Sequence, residues 1–187
     1  KTYAKYYALR TLNAIKTNFG YLSFPPFSSG HILRARALER LSSSSEIVAN
    51  FIQRERSFFL LNEDKVSEKQ QRLDFVQNLL DSDYVLCPRG SGNYSFRFYE
   101  ALCCGRIPVF VNTHCVLPFD FDIDWQRYCV WVEEFELPHI DQKIAEFHEG
   151  RSDSEFVERQ HQCRNLWETY IEPAGFFKQF YRHLEAF

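Results

Sequence analysis

Methionine is absent from all 187 residues, and the chain opens on Lys1. Both features lead us to expect a fragment whose natural N-terminus is missing. No apolar run approaches the ~18 residues of a membrane span. Lys1-Thr2-Tyr3-Ala4-Lys5 is not followed by the continuous apolar core of a secretory signal. There is no dense Lys/Arg run, and the formal net charge is −3. Nucleic acid and acidic membrane surfaces are therefore disfavoured as partners, although local basic residues can still hold a small phosphate ligand. The six cysteines (87, 103, 104, 115, 129 and 163) contain no Cys-x-x-Cys pair of the kind used for zinc or redox chemistry, and they read as small buried hydrophobes. Internal repeats are lacking, as is any low-complexity tract beyond Ser42–Ser45.

What is present is ordinary for a globular chain: 45% hydrophobic and 25% charged residues, enough length for one well-buried domain or two very small ones. Helical patterns alternate with short apolar strands, which predicts an α/β fold with a mostly parallel sheet. Residues 1–17 read as a connecting helix or the remnant of a preceding domain, and 18–187 as the domain proper. Strands are expected at Phe19–Phe24, Glu46–Phe51, Asp83–Cys87, Ile107–Val111 and Tyr128–Val132. Helices are expected at His31–Leu41, from a Ser67/Gln70 capping box through Leu73, Val76, Leu79 and Leu80, at Ser95–Cys104, at His139–His148, from a Ser152/Glu155 capping box through Tyr170, and at Gly175–Leu184.

The strand–loop–helix at 84–104 carries the chemistry. A strand that feeds a Gly-containing loop into a helix N-terminus makes an anion site, because the first N–H groups of the helix lack internal partners and its dipole favours negative charge. Gly90 and Gly92 let the loop backbone approach a ligand closely. Ser95 can cap the helix or donate to a phosphate oxygen. Arg89 and Arg97 flank the turn, and guanidinium geometry matches phosphate. Glu100 can accept both hydroxyls of a ribose. The same residues admit a plainer reading: Arg97 and Glu100 as an exposed i,i+3 ion pair, Arg89 as a solvated loop residue, Ser95 as a simple cap. A dinucleotide site is weakly matched, since Gly90-Ser91-Gly92-Asn93-Tyr94-Ser95 lacks the third glycine and no carboxylate appears at Val111-Asn112-Thr113-His114. No Gly-Lys-Ser/Thr follows the loop, so a P-loop is excluded.

Tyr84-Val85-Leu86-Cys87-Pro88-Arg89-Gly90, Ser95-Phe96-Arg97-Phe98-Tyr99-Glu100-Ala101-Leu102, Gly105-Arg106-Ile107-Pro108-Val109 and Leu117-Pro118-Phe119 together resemble the signature of exostosin-type glycosyltransferases (glycosyltransferase family 47). Order and spacing agree from residue 84 to 119. Asn50-Phe51, Ile123-Asp124-Trp125 and Gln160 to Trp167 also look similar, extending the resemblance from about Phe19 onward. The resemblance implies a GT-B architecture, two Rossmann-like domains facing each other across a cleft, with this chain similar to the second, donor-binding one. On that footing Glu100 holds the nucleotide ribose, Arg97 and the Ser95 end of the helix face the diphosphate, Arg89 and Gly90 shape the pocket floor, and Asn93 belongs to the same binding loop. Arg106 departs from the pattern, because many relatives carry Cys before Ile-Pro-Val; donor identity is correspondingly open.

The implied reaction transfers a sugar from a nucleoside-diphosphate sugar, in the first instance UDP-linked, to a glycan or other hydroxyl acceptor. Fixed cations and helix N–H groups would stabilise the departing diphosphate. No cofactor or metal is expected: no Asp-x-Asp lies beside the loop, and Asp122-Ile123-Asp124 reads as a surface turn. No catalytic base can be named from the sequence; it is expected on an N-terminal acceptor domain of the same polypeptide. The rival reading is a non-catalytic nucleotide- or partner-binding module, for which the 17% aromatic content could supply a docking surface. The N-glycosylation sequon Asn93-Tyr94-Ser95 lies in the proposed phosphate loop, where a glycan would obstruct the donor. That leans towards a cytoplasmic, bacterial-type enzyme over a Golgi-lumen one.

Overall fold

The computed structural model describes residues 29–53 and 65–185. The expected elements at 3–16 and Phe19–Phe24 fall outside this range. The core is a three-stranded parallel sheet in the order β1 (Tyr84–Cys87), β2 (Ile107–Asn112), β3 (Val130–Glu133). Tyr84 pairs with Ile107 and Val109 with Val130 in the two ladders. β2 is central and its first five residues are all buried, as a strand covered on both faces requires. Helices flank the sheet: α1 (Gly30–Ser43), α2 (Lys65–Leu80), α3 (Phe96–Cys103), α4 (Ile140–His148), α5 (Asp153–Leu166) and α6 (Pro173–Glu185). This is the α/β arrangement expected, compatible with a Rossmann-like half of a GT-B enzyme.

The connection β1–loop–α3–β2 forms as the local signals dictate. α3 buries Phe98, Ala101 and Leu102 against β1 and β2 and ends at Gly105, whose φ of 62° suits glycine. The Ser152/Glu155 capping box is present with both reciprocal bonds, and α5 runs on into a π turn at Trp167–Ile171. Cys87, Cys129 and Cys163 are buried in the core, and all six cysteines are free thiols.

Three expectations are corrected. Glu46–Phe51 forms no strand: Ile47 and Phe51 only lean on the core, Val48 is 99% exposed, and the Asn50 carbonyl accepts a bond from the Asn78 side chain rather than a ladder bond. β-branched residues favour a strand only where a neighbour supplies the pairing, and no described strand does so here. The second helix starts at Lys65, so Ser67 lies inside its first turn rather than at its cap; Leu79 faces the core while Leu73 and Leu80 are exposed. The third strand begins at Val130, two residues later than expected, because Trp125–Arg127 form a 3-10 turn and the Tyr128 N–H bonds back to the Trp125 carbonyl.

α1 is clamped to α4 by a two-point ion pair in which Arg40 reaches both carboxylate oxygens of buried Asp141, at 2.9 and 2.7 Å. Burial would raise the Asp141 carboxyl, but hydrogen bonds from Arg40, Ser44 and the Gln142 backbone hold it below the usual aspartate range. A depressed folded value means that the pair's contribution is fully present above the unfolded value near ~3.9 and is lost as pH falls through the folded one. Arg40→Ala is expected to cost about 1–3 kcal/mol at pH 7 and to shrink the acid-dependent part of the stability curve below pH ~4. Circular-dichroism melts from pH 7 to pH 2 read both effects; an unchanged acid limb would show that Asp141 draws its stabilisation elsewhere.

Candidate donor-binding site

The C-terminal end of β1 gathers most of the residues singled out in the sequence. Cys87 and Pro88 are fully buried, and the chain then emerges into the 89–94 loop. The loop is braced from within: the Gly90 N–H donates to the Tyr94 carbonyl at 2.8 Å, and Arg89 Nε donates to the Gly92 carbonyl at 3.2 Å. Part of the Arg89 guanidinium is thus committed to holding the loop.

Asn93 is committed more fully. Its Nδ2 donates to the carbonyls of Thr113 and His114 at 3.0 and 3.1 Å, and its Oδ1 accepts from the Thr113 hydroxyl at 2.6 Å. The residue stitches the loop after β1 to the turn after β2, where His114 adopts φ 58°. Both amide hydrogens and one lone pair of the amide oxygen are engaged in this tie.

Ser95 occupies the N-cap position of α3 with extended φ and ψ, yet its hydroxyl makes no capping bond. Ser95 is largely buried, and its carbonyl accepts from the Phe98 N–H at 3.2 Å. Arg97, in the first turn of α3, is exposed, with its guanidinium 5.5 Å from the Phe75 ring centroid. Arg97 and Glu100 form no ion pair, which removes the simple i,i+3 reading. The Glu100 carboxyl is raised above its ordinary value, burial outweighing the opposing pull of Arg97 and Arg72.

The structure adds a residue that the sequence did not single out. Arg34, on α1, is part-buried, and its Nε is enclosed without a hydrogen-bond partner. Burial lowers its pKa, and the positive charge of Arg97 lowers it further, with Cys87 acting in the opposite sense. Arg34 and Arg97, on different helices, thus place two guanidinium charges in each other's field near Cys87 at the end of β1, with the Glu100 carboxyl acting on the same surroundings. Such a group of perturbed charges at the end of a strand marks a candidate ligand position. In the sequence Arg34 falls among the helically spaced apolar positions Ile32, Leu33, Ala35, Leu38 and Leu41, and an arginine flanking that stripe was the available hint.

Close backbone approach also comes from an unexpected glycine. A Cβ on Gly90 would make an ordinary 3.5 Å contact with the Tyr94 carbonyl oxygen, and one on Gly92 would run into the Tyr94 ring, whereas at Gly30 a Cβ would come within 2.2 Å of the Arg89 carbonyl oxygen and 2.7 Å of that of Gly90. Gly30 therefore lets the N-terminus of α1 abut the binding loop, carrying Arg34 one turn behind it. Two helix N-termini, α1 and α3, consequently converge where the strand ends, the usual ligand position in open α/β sheets.

Asp122-Ile123-Asp124 is a turn, as expected: Asp122 accepts from the Tyr170 hydroxyl and pairs with His183, while Asp124 precedes the Trp125–Arg127 turn. Among the described residues no three His, Cys, Asp or Glu side chains converge in the manner of a metal site.

Known proteins share this unit. The model of the Exostosin GT47 domain matches residues 27–146. Over 111 residues the chain is 36% identical to Exostosin-1 of Drosophila melanogaster, with 58% of this chain and 14% of that protein covered. Exostosin-1a of Danio rerio is 34% identical over 111 residues, covering 59% of this chain and 15% of that protein, and Exostosin-1 of Bos taurus is 30% identical over 111 residues, covering 59% and 14%. The chain thus spans about one-seventh of the length of these curated relatives. The matched segment contains α1 with Arg34, the 89–94 loop, α3 and the sheet, so the candidate site lies inside the shared unit. On these grounds the chain belongs to the Exostosin GT47 family.

Proposed function

We propose that this chain is the donor-binding part of a glycosyltransferase that moves a sugar from a nucleoside-diphosphate sugar, with UDP as the nucleotide, to a hydroxyl of a glycan acceptor. The observation that carries this reading is the pair Arg34 and Arg97, two mutually unfavourable cations that form no salt bridge among the described residues, near the N-terminus of α3 and its Ser95 hydroxyl, which makes no capping bond. A pyrophosphate placed there neutralises both guanidinium groups. Glu100 stands a little over one helical turn behind Ser95, within reach of a ribose. As the bond from the sugar to the diphosphate breaks, negative charge grows on the leaving oxygen, and cations already in place stabilise it without reorganising. Asn93 serves this site by holding the loop rather than by touching the donor. The acceptor-activating base is assigned to an acceptor domain preceding this one in the same polypeptide, so the chain alone is expected to bind donor without turnover.

Thermal-shift titration with UDP, GDP and NAD tests the assignment. At a hundredfold excess over Kd, UDP should stabilise the chain by about 2.7 kcal/mol, roughly 5–10 °C for a domain of this size. A response confined to NAD would overturn the reading. Nucleotide binding that persists without transfer, even in the full-length protein, would favour the non-catalytic binding module. The sequon supports a cytoplasmic site of action over the Golgi lumen, since a glycan on Asn93 would break the bonds that hold the loop; an endoglycosidase-induced mass shift of protein from its native source would reverse that preference.

A further inference from the structure

Two aromatic side chains at the mouth of α3 belong to no core. Tyr94 and Phe96 meet edge to face, ring centroids 5.1 Å apart, and are 47% and 67% exposed. Their positions are built rather than loose. The Tyr94 carbonyl is held by the Gly90 N–H, and its ring lies so close over Gly92 that a Cβ there would approach Cε1 to 2.5 Å. Phe96 is the first residue of α3, next to Arg97, and shares a helix face with Glu100 four residues on. Water-exposed aromatic surface is unfavourable unless something covers it in the working state.

The axis of α3 orders a bound donor. With the ribose at Glu100, the pyrophosphate reaches the helix start about one turn, or ~5.4 Å, nearer the N-terminus. The sugar attached to the far phosphate then projects beyond that start, where Tyr94 and Phe96 stand. One face of a pyranose presents C–H groups, and such a face packs on the electron-rich face of an aromatic ring.

We propose that Tyr94 and Phe96 form the platform on which the transferred sugar of the donor rests, contributing to sugar binding and orientation separately from the nucleotide contacts. This inference rests on the donor-site reading above. Isothermal titration of the wild-type chain and of Phe96→Ala, Tyr94→Ala and Phe96→Tyr with UDP, UDP-glucose and UDP-xylose tests it. The wild type should bind at least one sugar nucleotide more tightly than UDP. Each alanine variant should lose roughly three- to tenfold in affinity for that sugar nucleotide while its Kd for UDP stays within about twofold, and Phe96→Tyr should retain wild-type affinity. Equal losses for UDP and the sugar nucleotides would overturn the proposal by showing that the pair merely supports the loop; so would unchanged affinity for all three, or a wild type for which the sugar adds nothing. A wild type that binds none of the three ligands would instead remove the donor-site reading itself, and this inference with it.

Discussion

Replacing Arg97 by alanine is expected to weaken UDP binding by roughly 10- to 150-fold while leaving the melting temperature of the ligand-free chain unchanged or slightly raised. The affinity loss is that of one charge-assisted contact to phosphate, ~1.5–3 kcal/mol. The stability half of the prediction follows from the surroundings of the side chain. Arg97 has no ion-pair partner among the described residues and makes only a 5.5 Å contact over the Phe75 ring. Its charge lies close enough to Arg34 to lower that residue's pKa further than burial alone does, so the two repel. Removing Arg97 relieves that repulsion and gives up a weak cation–π contact and its attraction for Glu100, small effects of opposite sign. A residue that serves the fold loses stability when truncated; a residue held in place for a ligand loses affinity instead. Titration calorimetry and a thermal melt on the same variant read both halves. Wild-type UDP affinity, or a large drop in melting temperature, would sink the assignment. Arg34→Ala should lose affinity in the same range, and Glu100→Ala should match it through the ribose.

Phe98→Ala should behave in the opposite way, costing about 3–5 kcal/mol of folding stability, or roughly 6–20 °C in melting temperature. Phe98 is fully buried on the inner face of α3, one residue from Arg97. Its ring meets Tyr99, Phe110 and Trp125 edge-on, with centroids at 5.5, 5.1 and 5.4 Å. Phe110 belongs to β2 and Trp125 to the turn before β3, so one side chain joins the helix that carries the site to two parts of the sheet layer. Truncation leaves a cavity bounded by rigid rings that cannot collapse into it. Denaturant unfolding measures the loss; a value below ~1 kcal/mol would mean that α3 is anchored mainly through Ala101 and Leu102. Adjacent residues on one helix are thus expected to separate cleanly, Arg97 reporting on ligand and Phe98 on fold.

The local sequence determined the unit that bears the site. β1, the loop, α3 and β2 were legible because each is specified over a few residues: a short apolar strand, Pro-Arg-Gly, a serine ahead of a helical stripe, and Gly105 as a stop. The same short-range information placed Ser95, Arg97 and Glu100 on one short helix, and its order and spacing carried the family resemblance. The failures are equally specific. Glu46–Phe51 has strand composition, but a strand also needs a neighbour to pair with, which composition does not show. The tie from Asn93 to Thr113 and His114 was equally illegible, because nothing local reveals that they come within hydrogen-bonding distance of its amide. Only the packing of α1 against the loop, permitted by the missing side chain of Gly30, brought Arg34 into the field of Arg97. Periodicity fixes which face of a helix is buried; which charge on another helix that face comes to rest beside is decided when the layers assemble.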